Sequence, residues 1–424
     1  MATARGRAGV AVVRASGPSA DDALKALTRR PLPNERRATI RTLFDKRNDS
    51  IIDTALVLRF APPHSYTGEN VVEFQTHGGP AVVAALLEAL ASEPGLRLAE
   101  PGEFTRRAVE NGRLDLTQAE GIADLVAAET EVQRRQAFGQ FEGKLAALYE
   151  GWRSDLIRAA AWVEASIDFP DEEIPPDAIA KSRGAMASIA GEIRAHLNDG
   201  RRGEILREGF QVAVIGPPNA GKSSLVNALA NRDVAIVSDV PGTTRDVIEV
   251  RLDLKGYPVI LADTAGLRAA KGPIEEEGIR RAQARAASAD LRLLVLDGSL
   301  PVPEKLPSAE LMVWNKADLV SAKAQPGIWI SSKTSEGLPE LIDALTGYAE
   351  RGIGQGEAPV VTRARHRQAL EGAAKCLEEA VPEEAAELAA DHVRRALRAI
   401  GRITGRVDLD ELLDVVFRDF CLGK

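Results

Sequence analysis

Aromatic residues make up only 4% of this 424-residue chain. They are too few for base stacking to dominate any nucleic-acid contact. Cysteine is scarcer still: Cys376 and Cys421 are the whole complement, without metal-type spacing. That excludes a disulfide framework and suits a reducing cytoplasm. No apolar run approaches the roughly 20 residues of a membrane span, and no signal-peptide pattern opens the chain, so no membrane partner is expected. Positive charge is also in deficit, with 54 Lys and Arg against 62 Asp and Glu, a net charge of −8 and a pI near 5.5. A uniformly basic RNA-binding surface is excluded, whereas a local basic patch is not.

What is present is ordinary globular material, 45% apolar, in a length that suits roughly three domains. Its centre is Gly216-Pro217-Pro218-Asn219-Ala220-Gly221-Lys222-Ser223, followed by Ser224. An apolar strand, Val212 to Ile215, precedes this stretch, and a helix is expected from Lys222 to Ala230. In that context the spacing G-x-x-x-x-G-K-[ST] is a phosphate-binding loop. Its glycines let backbone N–H groups wrap a phosphate chain at a helix N-terminus. Lys222 can reach the outer phosphates, and the Ser223 hydroxyl can ligate Mg²⁺.

Before this loop, residues 1–111 read as strands at Val10–Arg14, Ala38–Leu43, Ile51–Phe60 and Val71–Gln75, with a Pro-initiated helix at Pro80–Ala91. From Gly112 the pattern is helical. Leu145, Leu148, Trp152, Leu156, Ala159, Val163 and Ile167 form one apolar stripe. Phe169 to Pro176 breaks it, and a second helix is expected from Asp177 to Leu206. From Phe210 strands and helices alternate as in a doubly wound parallel sheet, with strands expected at 211–215, 247–254, 257–262, 291–297, 311–315 and 328–331. Gly352 to Gly356 reads as a linker, and residues 360–424 return to helix. There Arg394, Arg395, Arg398, Arg402 and Arg406 form either a solvated face or an RNA-contact patch.

Four further elements follow the phosphate loop. Ser238-Asp239-Val240-Pro241-Gly242-Thr243-Thr244 is a loop whose Thr244 suits capping a metal ion beside a γ-phosphate. Asp263-Thr264-Ala265-Gly266 ends a strand; Asp263 can hold Mg²⁺ through water and the Gly266 N–H can meet a γ-phosphate. Asn315-Lys316-Ala317-Asp318 ends another strand, and the Asp318 carboxylate can accept the two N–H donors that guanine offers and adenine does not. Ser331-Ser332-Lys333 can back the base. Together they specify a GTP site. The residue after Gly266 is Leu267, not the Gln that orients water in Ras-type enzymes, so hydrolysis needs another polar group and another source of positive charge. Glu275-Glu276-Glu277 offers the nearest polar group; the same residues also suit a solvated helix start.

At this point the chain resembles the MnmE (TrmE) family of tRNA wobble-uridine modification GTPases, over nearly its whole length. The resemblance rests on the phosphate loop with Asn219, on Pro241-Gly242-Thr243-Thr244-Arg245-Asp246 and on Asp263-Thr264-Ala265-Gly266-Leu267-Arg268. It also rests on Ser65-Tyr66-Thr67-Gly68-Glu69, Pro101-Gly102-Glu103-Phe104-Thr105, Asn111-Gly112-Arg113-Leu114-Asp115-Leu116 and the terminal Phe420-Cys421-Leu422-Gly423-Lys424. It implies a multidomain α/β fold: an N-terminal α+β folate-binding-like domain over 1–111, a discontinuous helical domain over 112–206 and 352–424, and an inserted Ras-like P-loop GTPase domain over 207–351. It further implies K⁺-dependent dimerisation of GTPase domains, with Asn219, Ser238, Val240 and Thr243 as K⁺ ligands, Ser223 and Thr244 as Mg²⁺ ligands, and Glu275 as catalytic glutamate. Arg14, Glu73, Arg113 and Lys424 match positions that contact 5-formyl-tetrahydrofolate or a related one-carbon donor in an N-terminal homodimer. With the flavoprotein MnmG, family members place an aminomethyl or carboxymethylaminomethyl group at C5 of the tRNA wobble uridine, in the cytoplasm. Cys421 is a candidate nucleophile of undecided reactivity. The family usually begins earlier, with an extra strand before the segment matching Gly6-Arg7, and often has Lys at Arg113 and Ile at Leu422. A different class of protein, a GTPase switch that binds rRNA during ribosome assembly, shares the phosphate loop and the apolar residue after D-x-x-G.

Overall fold

The computed structural model describes residues 1–4, 6–168, 176–236, 249–263, 287–323, 325–354 and 360–406. The chain divides into two compact units, one of Met1–Ala123 with Ile400–Lys424, the other of Asp124–Ala399.

The first unit begins with β1 (Ala8–Ser16), α1 (Ala20–Thr28), β2 (Thr39–Asp45), β3 (Ser50–Phe60), β4 (Val71–Gly78), α2 (Pro80–Ala91) and α3 (Glu103–Glu110). The four strands form an antiparallel sheet in the order β1-β4-β3-β2. Side chains alternate across it. Val13, Ala15, Val72 and Phe74 turn inward onto Leu24 and Leu27 of α1 and Leu86 and Leu90 of α2. Arg14 and Glu73, directly opposite each other in the β1–β4 register, share the other face. β1 extends beyond its expected bounds at both ends, β2 and β4 run a few residues further at their C-terminal ends, and β3 starts one residue earlier; the helix at Pro80 matches its expected bounds, with Pro at its start.

α4 (Leu116–Ala127) leads into the second unit, followed by α5 (Glu131–Phe141), α6 (Lys144–Asp168), α7 (Pro176–Leu197) and α8 (Arg202–Glu208). Most of the stripe on α6 is core: Leu145, Trp152, Leu156, Ala159 and Val163 are buried, while Leu148 and Ile167 are half-buried. Tyr149, an interruption of that stripe by type, is fully buried with them and packs edge-on against His196 and His366. The expected single helix to Leu206 is two helices. Gly200 and Arg201 both take left-handed φ values, 66° and 62°, which ends α7 and starts α8. Asp199 in the break accepts from the Arg201 N–H and from Arg367.

The nucleotide-binding region follows: β5 (Phe210–Ile215), α9 (Lys222–Ala230), β6 (Glu249–Leu254), β7 (Tyr257–Asp263), β8 (Leu291–Asp297), β9 (Leu311–Asn315), β10 (Ile328–Trp329) and α10 (Leu338–Ile353). Its sheet runs β10-β9-β8-β5-β7-β6. The expectation of a wholly parallel sheet needs correction at one edge, because β6 pairs with β7 antiparallel. The connection is only Lys255-Gly256, both at positive φ, which makes a hairpin turn and is far too short for a parallel crossover. α10 runs on to Ile353, which is buried, so the expected linker starts after it. α11 (Ala364–Ala380) packs on α7, and α12 (Ala386–Thr404) completes the described chain.

Candidate functional site: a phosphate loop joined to a guanine-type base loop

The loop after β5 has the conformation that its glycines permit. Gly216 takes φ +143°, and a Cβ there would stand 2.1 Å from the Val295 carbonyl oxygen. Gly221 takes φ +89°, and a Cβ would stand 2.1 Å from Asn315 Nδ2. Neither position accepts a side chain. Asn219 also adopts positive φ, 62°. Ala220 is buried beneath the loop, and Ser224 is exposed in the first turn of α9. The Lys222 ammonium donates to the Gly216 and Pro217 carbonyls at 2.9 and 2.7 Å, which fixes its charge at the mouth of the loop.

Beneath the loop, the Ser223 hydroxyl donates to Asp263 Oδ2 at the end of β7. Asp263 is fully buried. A hydroxyl and a carboxylate meeting at a helix start form an all-oxygen set, and that chemistry fits Mg²⁺. Thr244, the other expected Mg²⁺ ligand, lies outside the described residues, as do Ser238, Asp239, Val240, Pro241, Gly242, Thr243, Thr264, Ala265, Gly266 and Glu275. Of the expected K⁺ ligands only Asn219 is described.

The base side is built around Asn315, which is buried at the end of β9. Its Nδ2 donates to Ala220 O at 3.0 Å, and its Oδ1 accepts from Lys316 N at 2.8 Å, Ser332 N at 3.1 Å and Ser332 Oγ at 3.1 Å. One side chain thus ties the phosphate loop to two loops of the base side. Ala317 N donates to Ile330 O, which holds the exposed Asp318 beside the β10 loop. Ser331 Oγ donates to Asp318 Oδ1 at 2.7 Å, orienting the carboxylate. Lys333 is exposed on that loop. Lys316 pairs with Asp297 at the end of β8. Burial works to raise the Asp297 carboxyl, but hydrogen bonds from Lys316 and Ser299 outweigh it and hold the group below its ordinary value. The Ser331–Asp318 and Lys316–Asp297 contacts were not foreseen. For Asp297 the available signal was an acidic residue at a strand's C-terminal end.

In the first unit, the separated sequence motifs converge. Asn111 Nδ2 donates to Thr67 O at 2.7 Å, Tyr66 Oη bonds Thr105 Oγ1 at 2.8 Å, and Ser16 Oγ donates to Glu69 at 2.9 Å. Arg107 bridges Glu69 and Glu103. Arg14 pairs with Glu73 at 2.7 Å and lies over the rings of Tyr66 and Phe104. Burial pushes the Tyr66 phenol up, against the opposing effects of Thr105 and Arg14. Arg113 packs its stem at Gly68, where a Cβ would come 3.3 Å from Arg113 Cγ. A cavity of about 180 Å³ opens on one side of Arg14, lined also by Ser16, Arg97, Glu103, Phe104 and Arg107; of the expected folate-contacting residues Arg14 lines it, whereas Glu73 and Arg113 do not. Its wall carries three guanidinium groups, one carboxylate (Glu103) and one aromatic ring (Phe104), a mixed polar and apolar lining able to hold a small organic molecule. Lys424 and Cys421 lie outside the described residues. Arg394, Arg395, Arg398, Arg402 and Arg406 are all exposed on or just beyond α12.

Comparison with known proteins accounts for the whole chain. The family described as the MnmE helical domain matches residues 116–421, and the one described as GTP-binding protein TrmE N-terminus matches residues 1–113. The tRNA modification GTPase MnmE of Parvibaculum lavamentivorans is 54% identical over 435 residues, covering 100% of this chain and 99% of its own. The protein of the same name from Paramagnetospirillum magneticum is 52% identical over 436 residues, and that from Rhodospirillum rubrum 52% over 447, each covering 100% of this chain and 98% of the relative. A phosphate loop, a hydroxyl–carboxylate pair beneath it, an oriented aspartate at the end of β9 and full-length likeness of this order lead to one conclusion: the chain belongs to the MnmE family of tRNA modification GTPases.

Proposed function

We propose that this protein is a Mg²⁺- and K⁺-dependent GTP hydrolase that, as a homodimer working with the flavoprotein MnmG in the cytoplasm, modifies C5 of the tRNA wobble uridine with an aminomethyl or carboxymethylaminomethyl group. The observation that carries the GTPase part is the strut from Ala220 through Asn315 to Ser332, which joins the phosphate loop to the loop presenting Asp318. Phosphate oxygens would meet the loop N–H groups and Lys222, Mg²⁺ would be held by Ser223 and Thr244 with Asp263 beyond, and guanine would be read by Asp318. Ser331 keeps the Asp318 carboxylate turned for that contact. K⁺, bound by Asn219, Ser238, Val240 and Thr243, would supply the positive charge that other GTPases take from an arginine. Leu267 cannot orient water, so Glu275 takes that role.

The one-carbon unit would come from 5-formyl-tetrahydrofolate or a related donor held by Arg14, Glu73, Arg113 and Lys424. What supports this is Arg14, which lines the N-terminal cavity, pairs with Glu73 and lies over the rings of Tyr66 and Phe104. In this reading the GTPase domain 207–351 is inserted in sequence between helical segments 112–206 and 352–424, which follow the N-terminal domain 1–111. The exposed arginines of α12 supply phosphate contacts for tRNA. Among the described residues no helix is long and apolar enough to cross a membrane.

The test is mass spectrometry of wobble uridines from cells lacking the protein. Loss of the C5 modification, restored by the wild-type chain and not by an Asp318→Asn chain, is the expected result. Intact wobble uridines alongside accumulating ribosomal precursors would replace this reading with the rRNA-binding switch.

A further inference from the structure

Away from the nucleotide and the N-terminal cavity, α11 and α12 bring a thiol, a carboxylate and an imidazole together. Cys376 and Glu379 lie one turn apart on α11, and His392 comes from the second turn of α12. One ligand atom from each lies within 4.8 Å of the other two. Glu379 Oε2 stands 3.3 Å from His392 Nδ1. Nδ1 is screened from solvent and has no hydrogen-bond partner among the described residues. The contact is an ion pair only with a protonated imidazole; with a neutral ring Nδ1 is a shielded lone pair facing a carboxylate, which a cation between the two would satisfy.

A metal ion fits that gap. In a tetrahedral Zn²⁺ site with bonds of about 2.0–2.1 Å, nitrogen and oxygen ligands stand about 3.3–3.4 Å apart. The Glu379–His392 separation already has that value. A thiolate at about 2.3 Å from the metal belongs about 3.5–3.6 Å from each of them. Since Sγ is within 4.8 Å now, a shift of at most about 1.3 Å, which rotation about the Cα–Cβ bond can supply, closes the set. Mixed sulfur, nitrogen and oxygen donors select Zn²⁺ over Mg²⁺ or Ca²⁺, which want oxygen alone. The surrounding charges nearly cancel: Lys375 reaches Glu379 from the solvent side at 3.9 Å, and Arg395 near Cys376 is opposed by Asp391.

We propose that Cys376, Glu379 and His392 bind one Zn²⁺ per chain, with water as the fourth ligand, and that the ion ties α11 to α12 across the turn between them. Binding releases the thiol proton to solvent and changes no oxidation state. The ion is distant in role from GTP hydrolysis: it fixes the helix pair.

Co²⁺ substitution tests this on the full-length protein, kept in Mg²⁺ and GDP so that the phosphate loop is filled and in a non-thiol reductant. The expected result is a thiolate-to-cobalt charge-transfer band that saturates at one Co²⁺ per chain and is displaced by Zn²⁺. Cys376→Ser should abolish the band, and Cys421→Ser should leave it unchanged. Glu379→Gln and His392→Gln should keep the helical circular dichroism and weaken Co²⁺ binding at least tenfold, which separates lost ligation from lost folding. No band at saturating Co²⁺, a band that survives Cys376→Ser, or affinity unaltered by both Glu379→Gln and His392→Gln would overturn the proposal.

Discussion

Removing the Asn315 side chain should disable nucleotide binding while leaving the preference between GTP and GDP unchanged. Asn315→Ala deletes the donor to Ala220 O at 3.0 Å and the acceptor for Lys316 N at 2.8 Å and Ser332 N at 3.1 Å. At about 1 kcal/mol net for each of these buried bonds the loss is about 3 kcal/mol. If all of it appears in affinity, the dissociation constant rises on the order of a hundredfold. The loss falls on the joint between the phosphate and base loops, which GDP and GTP use alike. Fluorescent GDP and GTP analogues, titrated against wild-type and variant protein, would give both constants. A drop in midpoint temperature of the nucleotide-free protein is expected too, since part of the bonding exists without ligand. GDP affinity within threefold of wild type would refute the strut argument. A large loss for GTP alone would refute it as well, because it would tie Asn315 to the γ-phosphate.

Asp318→Asn should weaken GTP binding strongly and favour xanthine nucleotides, because the amide sets a donor against guanine's donors; competition titration with both nucleotides reads this. Glu275→Ala should slow GTP turnover by orders of magnitude with little change in GTP affinity, and replacing K⁺ by Na⁺ should remove most wild-type turnover; a near-normal rate in either case contradicts the corresponding role. Acid should weaken the start of the β8–β9 pair. Hydrogen bonds from Arg292 lower the Glu310 carboxyl from 4.5 to about 2. A group depressed on folding stabilises above its unfolded value and loses that contribution as pH falls through the folded one, so the effect runs between pH 4.5 and about 2. The pair is more than a third exposed on both sides, so its loss is no more than about 1 kcal/mol. Chemical denaturation of wild-type and Glu310→Gln protein should diverge above pH 4.5 and converge near pH 2.

Reading the chain in one dimension settles whatever depends on local pattern. The phosphate loop is legible because its glycines sit at fixed offsets between an apolar strand and a helix, and Gly216 and Gly221 are where the backbone has no room for a side chain. The strands of both sheets and the stripe on α6 are legible because periods of two and near four mark which residues a face must bury. What depends on residues far apart in sequence is decided by tertiary structure. Sequence spacing cannot say that Asn315 reaches back to Ala220, that Ser331 turns Asp318, or that the motifs at Ser65, Pro101 and Asn111 bond to one another. Nor could it separate α7 from α8, since Asn198, Asp199 and Gly200 break a helix only where the chain takes left-handed φ values. The antiparallel β6 follows from the two-residue turn at Lys255-Gly256, a gap that the expected strands at 247–254 and 257–262 already leave. The cysteines show no metal spacing along the chain. Only the packing of α11 and α12 sets Cys376 beside Glu379 and His392, because a ligand set is defined by distance in space and the folded helices, not the residue count, determine that distance.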